Sequence, residues 1–200
     1  MRDLNQLIIK FDYDQNFKDD DFYISKSNEH AFNLLNKWPN WEKNFLNIAG
    51  EKFSGKSHLM NIFLKKNKGI KIDSKSLNEK KLENIKIYEN VVLEDLTSDI
   101  DEKLLYTLFN FIDQDNKYII VTSLEPIVNI DFTLEDLKSR TKNFLLLNIE
   151  KPDDELIFAI ILKNLSDRQI SLDKKLIDYI VKRIERSYSK IHNFIYKIDQ

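Results

Sequence analysis

Apolar and polar residues form two recurring patterns along this chain. Short apolar runs predict five strands, and segments with apolar residues at helical spacing predict helices between them. The strands are predicted at 44–49, 69–73, 87–96, 118–123 and 144–149. The helices are predicted from a Ser27 N-cap to Trp38 and at 58–64, 77–85, 101–113 and 134–140. Strands that alternate with helices indicate an α/β fold with a parallel five-stranded sheet flanked by helices.

The pattern changes after Pro152, where no further strand is predicted. Asp153 or Asp154 is expected to cap a helix that runs to Leu165, and two more helices follow, at 173–185 and from Ser187 to the end. We therefore expect three parts: an N-terminal segment at 1–20, an α/β domain at 21–150 and a small all-helical domain at 151–200.

The turn after the first strand carries the most specific motif. Gly50 to Ser57 fits the phosphate-binding loop pattern of Gly, four residues and Gly-Lys-Ser. A triphosphate needs many N–H donors, so the backbone must wrap around the anion, and glycines permit that wrap. Lys56 would reach the β- and γ-phosphates, and Ser57 would bind Mg²⁺. With only 3 Gly in the chain, a chance match has odds of roughly one in a thousand; the alternative is an ordinary strand–turn–helix.

Polar residues close two of the other strands. Glu94 and Asp95 end the third strand, about where a phosphate-loop ATPase places carboxylates. Glu94 would hold the Mg²⁺ shell, and Asp95 would orient or deprotonate the attacking water. Thr122 and Ser123 end the fourth strand, where a hydroxyl can bond the γ-phosphate or that water. Each set could instead be a polar strand end that leads into solvent.

Composition excludes several classes of protein. With 200 residues, 42% hydrophobic and 32% charged, the chain can bury one substantial core. The net charge of −2 argues against duplex DNA as a direct ligand. The 0 Cys exclude disulfides and suit a cytoplasmic protein. No apolar run approaches the ~20 residues of a membrane span.

The N-terminal apolar segment at 6–11 has two interpretations. It could be an edge strand of the sheet, because it is short and apolar. It could also be an exposed peptide for a partner's groove, because a polar, acidic stretch follows it.

Several segments together resemble the initiator AAA+ ATPases, specifically the short DnaA-like regulators called Hda. The resemblance covers nearly the whole chain, from Phe22-Tyr23-Ile24 to Arg186-Ser187-Tyr188. It implies that Phe22, Ile24 and Asn28 lie beside the adenine. The phosphate loop with Ser54 and His58, and Lys190 of the lid, would complete an ADP or ATP site.

The resemblance also implies partners. Gln6, Leu7, Ile9 and Phe11 match the peptide with which Hda proteins bind the sliding clamp, the β subunit of DNA polymerase. Arg140 matches the arginine finger that acts in trans on ATP-bound DnaA, promoting hydrolysis there. A homodimer is left open. The chain stops at Gln200, where the lid of the family ends, so we expect a regulator without sequence-specific DNA binding.

Three positions depart from the family pattern. Glu94 stands where Asp is usual, Lys190 where Arg is usual, and Leu124-Glu125 replaces a more polar turn. Lysine keeps the charge but loses the two-pronged guanidinium. We therefore expect weak or regulatory ATPase activity. The alternatives are a helicase-loader or transposition-helper ATPase, a small-molecule kinase, and an inactive scaffold.

Overall fold

The computed structural model describes residues 22–198. The segment at 6–11, with the predicted clamp-binding residues Gln6, Leu7, Ile9 and Phe11, lies outside the described residues. No helix within 22–198 is long and apolar enough to cross a bilayer.

Five parallel strands form one sheet in the order β2-β3-β4-β1-β5. The strands are β1 (Phe45–Ala49), β2 (Gly69–Asp73), β3 (Asn90–Leu96), β4 (Tyr118–Ser123) and β5 (Leu145–Asn148). β1 pairs with β4 on one side and with β5 on the other. The carboxyl ends of β1, β3 and β4 therefore meet at one edge of the sheet, where the predicted site residues follow them. The predicted α/β class is confirmed.

Eight α-helices accompany the sheet within the described residues. They are α1 (Glu29–Leu35), α2 (Lys56–Lys66), α3 (Glu79–Ile85), α4 (Glu102–Gln114), α5 (Glu135–Thr141), α6 (Asp154–Asp167), α7 (Lys174–Val181) and α8 (Tyr188–Ile198). Asp153 caps α6, as expected, by accepting a hydrogen bond from the backbone N–H of Leu156 at 2.8 Å.

Three local predictions are wrong. Ser27 does not cap α1: the N-cap is Asn28, and the Ser27 hydroxyl bonds the Ser25 hydroxyl at 2.7 Å. β3 begins at Asn90 rather than 87, because Ile87 is 81% exposed and pairs with no strand. α7 ends at Val181 rather than 185, and a turn and a short irregular stretch lead into α8.

Strand side chains alternate between two hydrophobic clusters, one on each face of the sheet. Val91, Leu93, Ile119 and Val121 contribute to the cluster under α4 and α5. The facing residues Leu46, Ile48, Val92 and Ile120 contribute to the cluster under α1 and α2. A third cluster joins α6, α7 and α8. The domain boundaries at 20 and 150 stay predictions.

The fully buried side chain of Asn47 fixes the end of β4 beside β1. Its amide nitrogen donates to the Val121 carbonyl at 3.0 Å and to the Ser123 hydroxyl at 2.9 Å. Its amide oxygen accepts from the backbone N–H of Ile127 at 2.9 Å. Three bonds from one buried amide thus hold the strand end that faces the phosphate loop.

Asn47→Ala is expected to lower the free energy of unfolding by about 2–3 kcal/mol, because it leaves the backbone N–H of Ile127 without its partner and removes two further buried bonds. Urea unfolding would measure the loss. The control is Asn44→Ala, since Asn44 pairs with Asn116 in an exposed bond at 2.8 Å. Equal losses in the two variants would contradict the importance of the buried amide.

Candidate functional site

The loop at 50–55 connects β1 to α2 and curves around its own backbone. The Gly50 N–H donates to the Ser123 carbonyl at 3.1 Å, and the Ser54 N–H to the Glu51 carbonyl at 3.1 Å. Gly55, with φ 90°, precedes the first turn of α2. A Cβ there would lie 3.3 Å from the Phe22 ring, and a Cβ on Gly50 would lie 3.0 Å from the Ser54 hydroxyl. Gly55 is therefore favoured by its left-handed backbone, and Gly50 by the close approach of Ser54 and Ile149.

Lys56 folds back over the loop it follows. Its ammonium donates to the Gly50 carbonyl at 2.6 Å and to the Glu51 carbonyl at 2.9 Å. Burial lowers the pKa of Lys56 below its ordinary value, while the carboxylates of Asp95, Glu51 and Glu94 oppose that shift. An ammonium has three donors, so one N–H remains for a ligand at the mouth of the loop, where α2 also presents its positive end.

A bulge places two adjacent carboxylates at the end of β3. Leu93 pairs with Val121 and Leu96 with Ser123, so Glu94 and Asp95 together oppose one residue of β4. Asp95 has φ 53°, a conformation that aspartate tolerates better than most residues. Its backbone N–H donates to the Thr122 hydroxyl at 3.0 Å.

Glu94 suits the metal role that was predicted for it. Its Oε2 lies 3.3 Å from the Lys71 ammonium. Its Oε1 is buried and has no hydrogen-bond partner. A buried carboxylate oxygen without a partner is costly unless a cation or water completes it. Mg²⁺ is usually held by one or two carboxylates, waters and substrate phosphates. Glu94 with the Ser57 hydroxyl is therefore a fitting donor set for Mg²⁺.

Thr122 and Ser123 are fully buried and bond to the protein itself. Thr122 accepts from the Asp95 N–H, as above. The Ser123 hydroxyl accepts from Asn47 and donates to the Glu125 carbonyl at 2.6 Å. Both hydroxyls thus hold the neighbouring strand ends, and their predicted contact with a phosphate or water stays a prediction.

Aromatic side chains cover the start of α2. The rings of Phe22 and His58 meet edge to face, 5.3 Å between centroids, and Phe22 also stacks on Phe32. Ile24 is exposed beside them. The amide of Asn28 ties this segment together, donating to the Tyr23 carbonyl at 2.9 Å and accepting from the Ser25 N–H at 2.9 Å. The segment predicted to contact adenine therefore lies next to the phosphate loop.

Two loop residues that the sequence pattern left unassigned contact α8. The Glu51 carboxylate accepts hydrogen bonds from Ser187, Tyr188 and Ser189 at the start of that helix. Phe53 stacks on His192 of α8, with centroids 3.8 Å apart and planes at 6°. Phe53 has φ 68°, a backbone conformation that costs a bulky residue about 1–3 kcal/mol. A phenylalanine between the two glycines is the only signal in the sequence for this contact.

Lys190 and Arg140 each pair with a carboxylate of the chain itself. Lys190 is more than half exposed, and its ammonium is 3.8 Å from the Glu185 carboxylate. The guanidinium of Arg140 pairs with Asp113 at 3.2 Å. Arg140 borders a cavity of about 530 Å³ that Asn44 and Phe45 also line, at the amino end of β1. The structure therefore does not bring Arg140 to the phosphate loop, which follows the carboxyl end of that strand.

The stack on His192 predicts a pH dependence of stability. Burial lowers the pKa of His192 below its ordinary 6.5, Arg168 and Lys52 lower it further, and a hydrogen bond with Asn193 opposes them. The unfolded imidazole then binds a proton more readily than the folded one. The free energy of unfolding should be at its full value above pH 6.5 and should fall as the pH drops below it.

Urea unfolding between pH 8 and 5.5 would test this dependence, with His192→Phe as the variant that keeps a ring in the stack. That variant should show a flatter pH dependence, whereas His30→Asn on the exposed face of α1 should behave as the wild type. An unchanged slope in His192→Phe would contradict the assignment.

No protein-family model matches the chain. The crystal structure of domain III from the Thermotoga maritima replication initiation protein DnaA superposes with a TM-score of 0.75, at 19% identity over 92% of this chain and 88% of that one. The chain has the AAA+ fold of DnaA domain III. Replication initiator DnaA bound to AMPPCP and single-stranded DNA gives a TM-score of 0.71 at 20% identity, over 92% of this chain and 65% of that one.

A curated relative extends the likeness to sequence. The chromosomal replication initiator protein DnaA of Helicobacter hepaticus is 25% identical over 206 residues, covering 90% of this chain. The chain spans 45% of the length of that DnaA. The likeness to DnaA predicted from the sequence is thus supported in fold and in sequence, whereas the Hda subfamily is not confirmed.

Proposed function

We propose that this chain binds ADP or ATP with Mg²⁺ at the phosphate loop and acts as an Hda-like adaptor that turns off DnaA. One observation carries the nucleotide site. The Lys56 ammonium is held by carbonyls of its own loop, at the positive end of α2, and the carboxylates of Glu94 and Asp95 at the end of β3 interact with its charge. A site with one buried cation, two carboxylates and curved backbone amides suits a magnesium-bound phosphate chain.

The residues around the loop have separate roles in this proposal. The remaining backbone amides of the loop and the Lys56 ammonium bind phosphate oxygens, and Ser57 with Glu94 holds Mg²⁺. When bound, the ion would neutralise charge on the phosphates. Phe22, Ile24 and Asn28 contact the adenine side. The DnaA structure bound to AMPPCP is a similar fold carrying an adenine nucleotide analogue, and it supports an adenine base here.

The adaptor role rests on two further segments. The N-terminal residues Gln6, Leu7, Ile9 and Phe11 are proposed to bind the sliding clamp, with apolar anchors and one amide. DnaA is the proposed target of the adaptor. Asp95, Thr122 and Ser123 are proposed to support the weak ATP hydrolysis of this chain itself.

Arg140 is proposed to complete the site of a neighbouring DnaA. It lies at the amino end of β1, while the phosphate loop follows the carboxyl end. A five-residue strand spans about 16 Å, so the guanidinium would serve another molecule's phosphates rather than its own. Its pair with the exposed Asp113 carboxylate would open at little cost, since exposed ion pairs stabilise by about 0–1 kcal/mol.

Hydrolysis of ATP by DnaA, measured with DNA-loaded clamp and with or without this chain, tests the adaptor role. Wild type should accelerate hydrolysis. Arg140→Ala should reduce the acceleration by about tenfold or more, because a positioned guanidinium is worth about 10³–10⁵ in rate where it completes a site. Lys142→Ala, two residues along and exposed, is the matched control.

Four other outcomes would decide against parts of the proposal. Full acceleration by Arg140→Ala would remove the finger assignment. Clamp binding that survives Gln6→Ala with Phe11→Ala would remove the peptide assignment. Absence of clamp binding together with binding to single-stranded DNA would favour a helicase-loader type of ATPase, and phosphorylation of a small metabolite would favour a kinase.

A further inference from the structure

The phosphate loop is attached to α8 through the carboxylate of Glu51. Oε1 of Glu51 accepts from the Ser187 hydroxyl at 2.5 Å and from the Ser189 N–H at 3.1 Å, and Oε2 accepts from the Tyr188 N–H at 3.1 Å. The first N–H groups of a helix have no partner within it. A residue 136 positions away in the sequence therefore caps α8.

Phe53 makes a second attachment, one turn further along the helix. Its ring lies flat on His192, and the Lys52 ammonium lies 5.2 Å from the centroid of the Phe53 ring. The left-handed backbone of Phe53 turns the ring out of the loop and onto the helix. The strained conformation is accompanied by a contact that only the docked helix can supply.

The charge on Glu51 gives these contacts a consequence for ligand binding. Its carboxylate belongs to a loop whose amides are arranged for an anion, so its own charge competes with a phosphate. Burial raises the pKa of Glu51, but its hydrogen bonds to Ser187, Ser189 and Tyr188 lower it more, and the net shift is downward. The carboxylate is therefore charged at neutral pH, and its hydrogen bonds to Ser187, Tyr188 and Ser189 direct that charge toward α8.

We propose that Glu51 and Phe53 are positioning residues that make phosphate binding at the loop depend on docking of α8. With α8 in place, the loop is curved and the Glu51 carboxylate is bonded to the helix. With α8 displaced, the loop loses both attachments and the carboxylate is released among the amides that bind phosphate. The linkage is reciprocal, so a nucleotide on the loop must favour the docked helix. This inference rests on the proposed nucleotide site.

Hydrogen exchange of the peptide at 187–192, with and without ADP, tests the linkage in the full chain. In the wild type, ADP should slow exchange in α8. Glu51→Ala should weaken ADP binding roughly tenfold, within the usual range for coupled sites, because losing the attachment of the loop to α8 outweighs losing the competing charge, and it should abolish the added protection. Glu51→Gln, which keeps one acceptor, should restore part of both effects.

Two further variants separate positioning from general damage. Ser187→Ala removes the partner on the helix, and its effect on ADP affinity should not add to that of Glu51→Ala. Lys80→Ala, at an exposed position of α3, is the matched control, and its affinity should stay near that of the wild type. If Glu51→Ala does not fold, Ser187→Ala and the wild-type exchange experiment decide the question.

The results distinguish the proposed linkage to α8 from the proposed nucleotide binding on which it rests. No ADP binding by the wild type in calorimetry would overturn both. ADP binding by the wild type without added protection of α8, or unchanged or tighter ADP binding by a folded Glu51→Ala or Ser187→Ala, would overturn only the linkage.

Discussion

Lys56→Ala should raise the dissociation constant for ADP about 100–1,000-fold. The variant loses a charge-assisted contact with phosphate, worth about 1.5–3 kcal/mol, and it also loses the two bonds that hold the start of the loop. Each 1.4 kcal/mol corresponds to about a factor of ten, so a combined loss of about 3–4 kcal/mol gives the expected range. Isothermal titration calorimetry with ADP and Mg²⁺ would measure it.

Lys80→Ala provides the matched control, because Lys80 is exposed on α3 and lies outside the phosphate loop. It should change the affinity less than about threefold, as a distant surface charge does. An affinity of Lys56→Ala within that same range would mean that the loop does not bind phosphate through this ammonium. The nucleotide site would then have to be abandoned.

Phe109→Ala is expected to cause the largest loss of stability, about 3–5 kcal/mol. The Phe109 side chain is fully buried on α4, and its ring meets Phe45 at 5.9 Å and Phe144 at 5.2 Å, both edge to face. Alanine leaves a cavity and removes both ring contacts. Urea unfolding monitored by circular dichroism would measure the change.

Ile87→Ala tests whether the loss comes from burial rather than from removing any large apolar side chain. Ile87 is 81% exposed, so its replacement should change the free energy of unfolding by no more than about 0.5 kcal/mol. A loss below about 1.5 kcal/mol in Phe109→Ala would contradict the packing around that ring.

The elements around the phosphate loop could be predicted because local signals agree there. Apolar residues at 45–49, scarce glycine and the Lys-Ser pair each indicate the same strand, turn and helix. The order of the strands could not be read in this way. An apolar run indicates that a strand is buried on both faces, but it does not say which neighbours it has.

The predicted start of β3 was wrong because an exposed apolar residue precedes the strand. Ile87 extends the hydrophobic run at its start, so the strand was expected to begin there. The structure instead begins the strand at the buried Asn90, whose amide nitrogen donates to the Lys68 carbonyl at 2.9 Å. A polar residue is thus inside, held through its amide nitrogen while its amide oxygen has no hydrogen-bond partner, and the apolar residue is outside.

The contacts of Glu51 could not be predicted because they join distant parts of the chain. Nothing in the phosphate-loop pattern specifies the residue after the first glycine. Its three partners lie more than 130 positions further on, and only the folded domain brings them together. Sequence spacing describes a helix or a strand well, but it does not describe a cap supplied from elsewhere.

The bulge in β3 means that the number of residues in this strand, as well as their identity, decides which carboxylates lie at its carboxyl end. Leu93 and Leu96 are both in the core, although they are three positions apart. A homologous strand one residue shorter would keep both leucines inside and the sheet intact, yet would carry a single acid. In such a protein an alignment gap, rather than a substitution, would record the loss of a carboxylate.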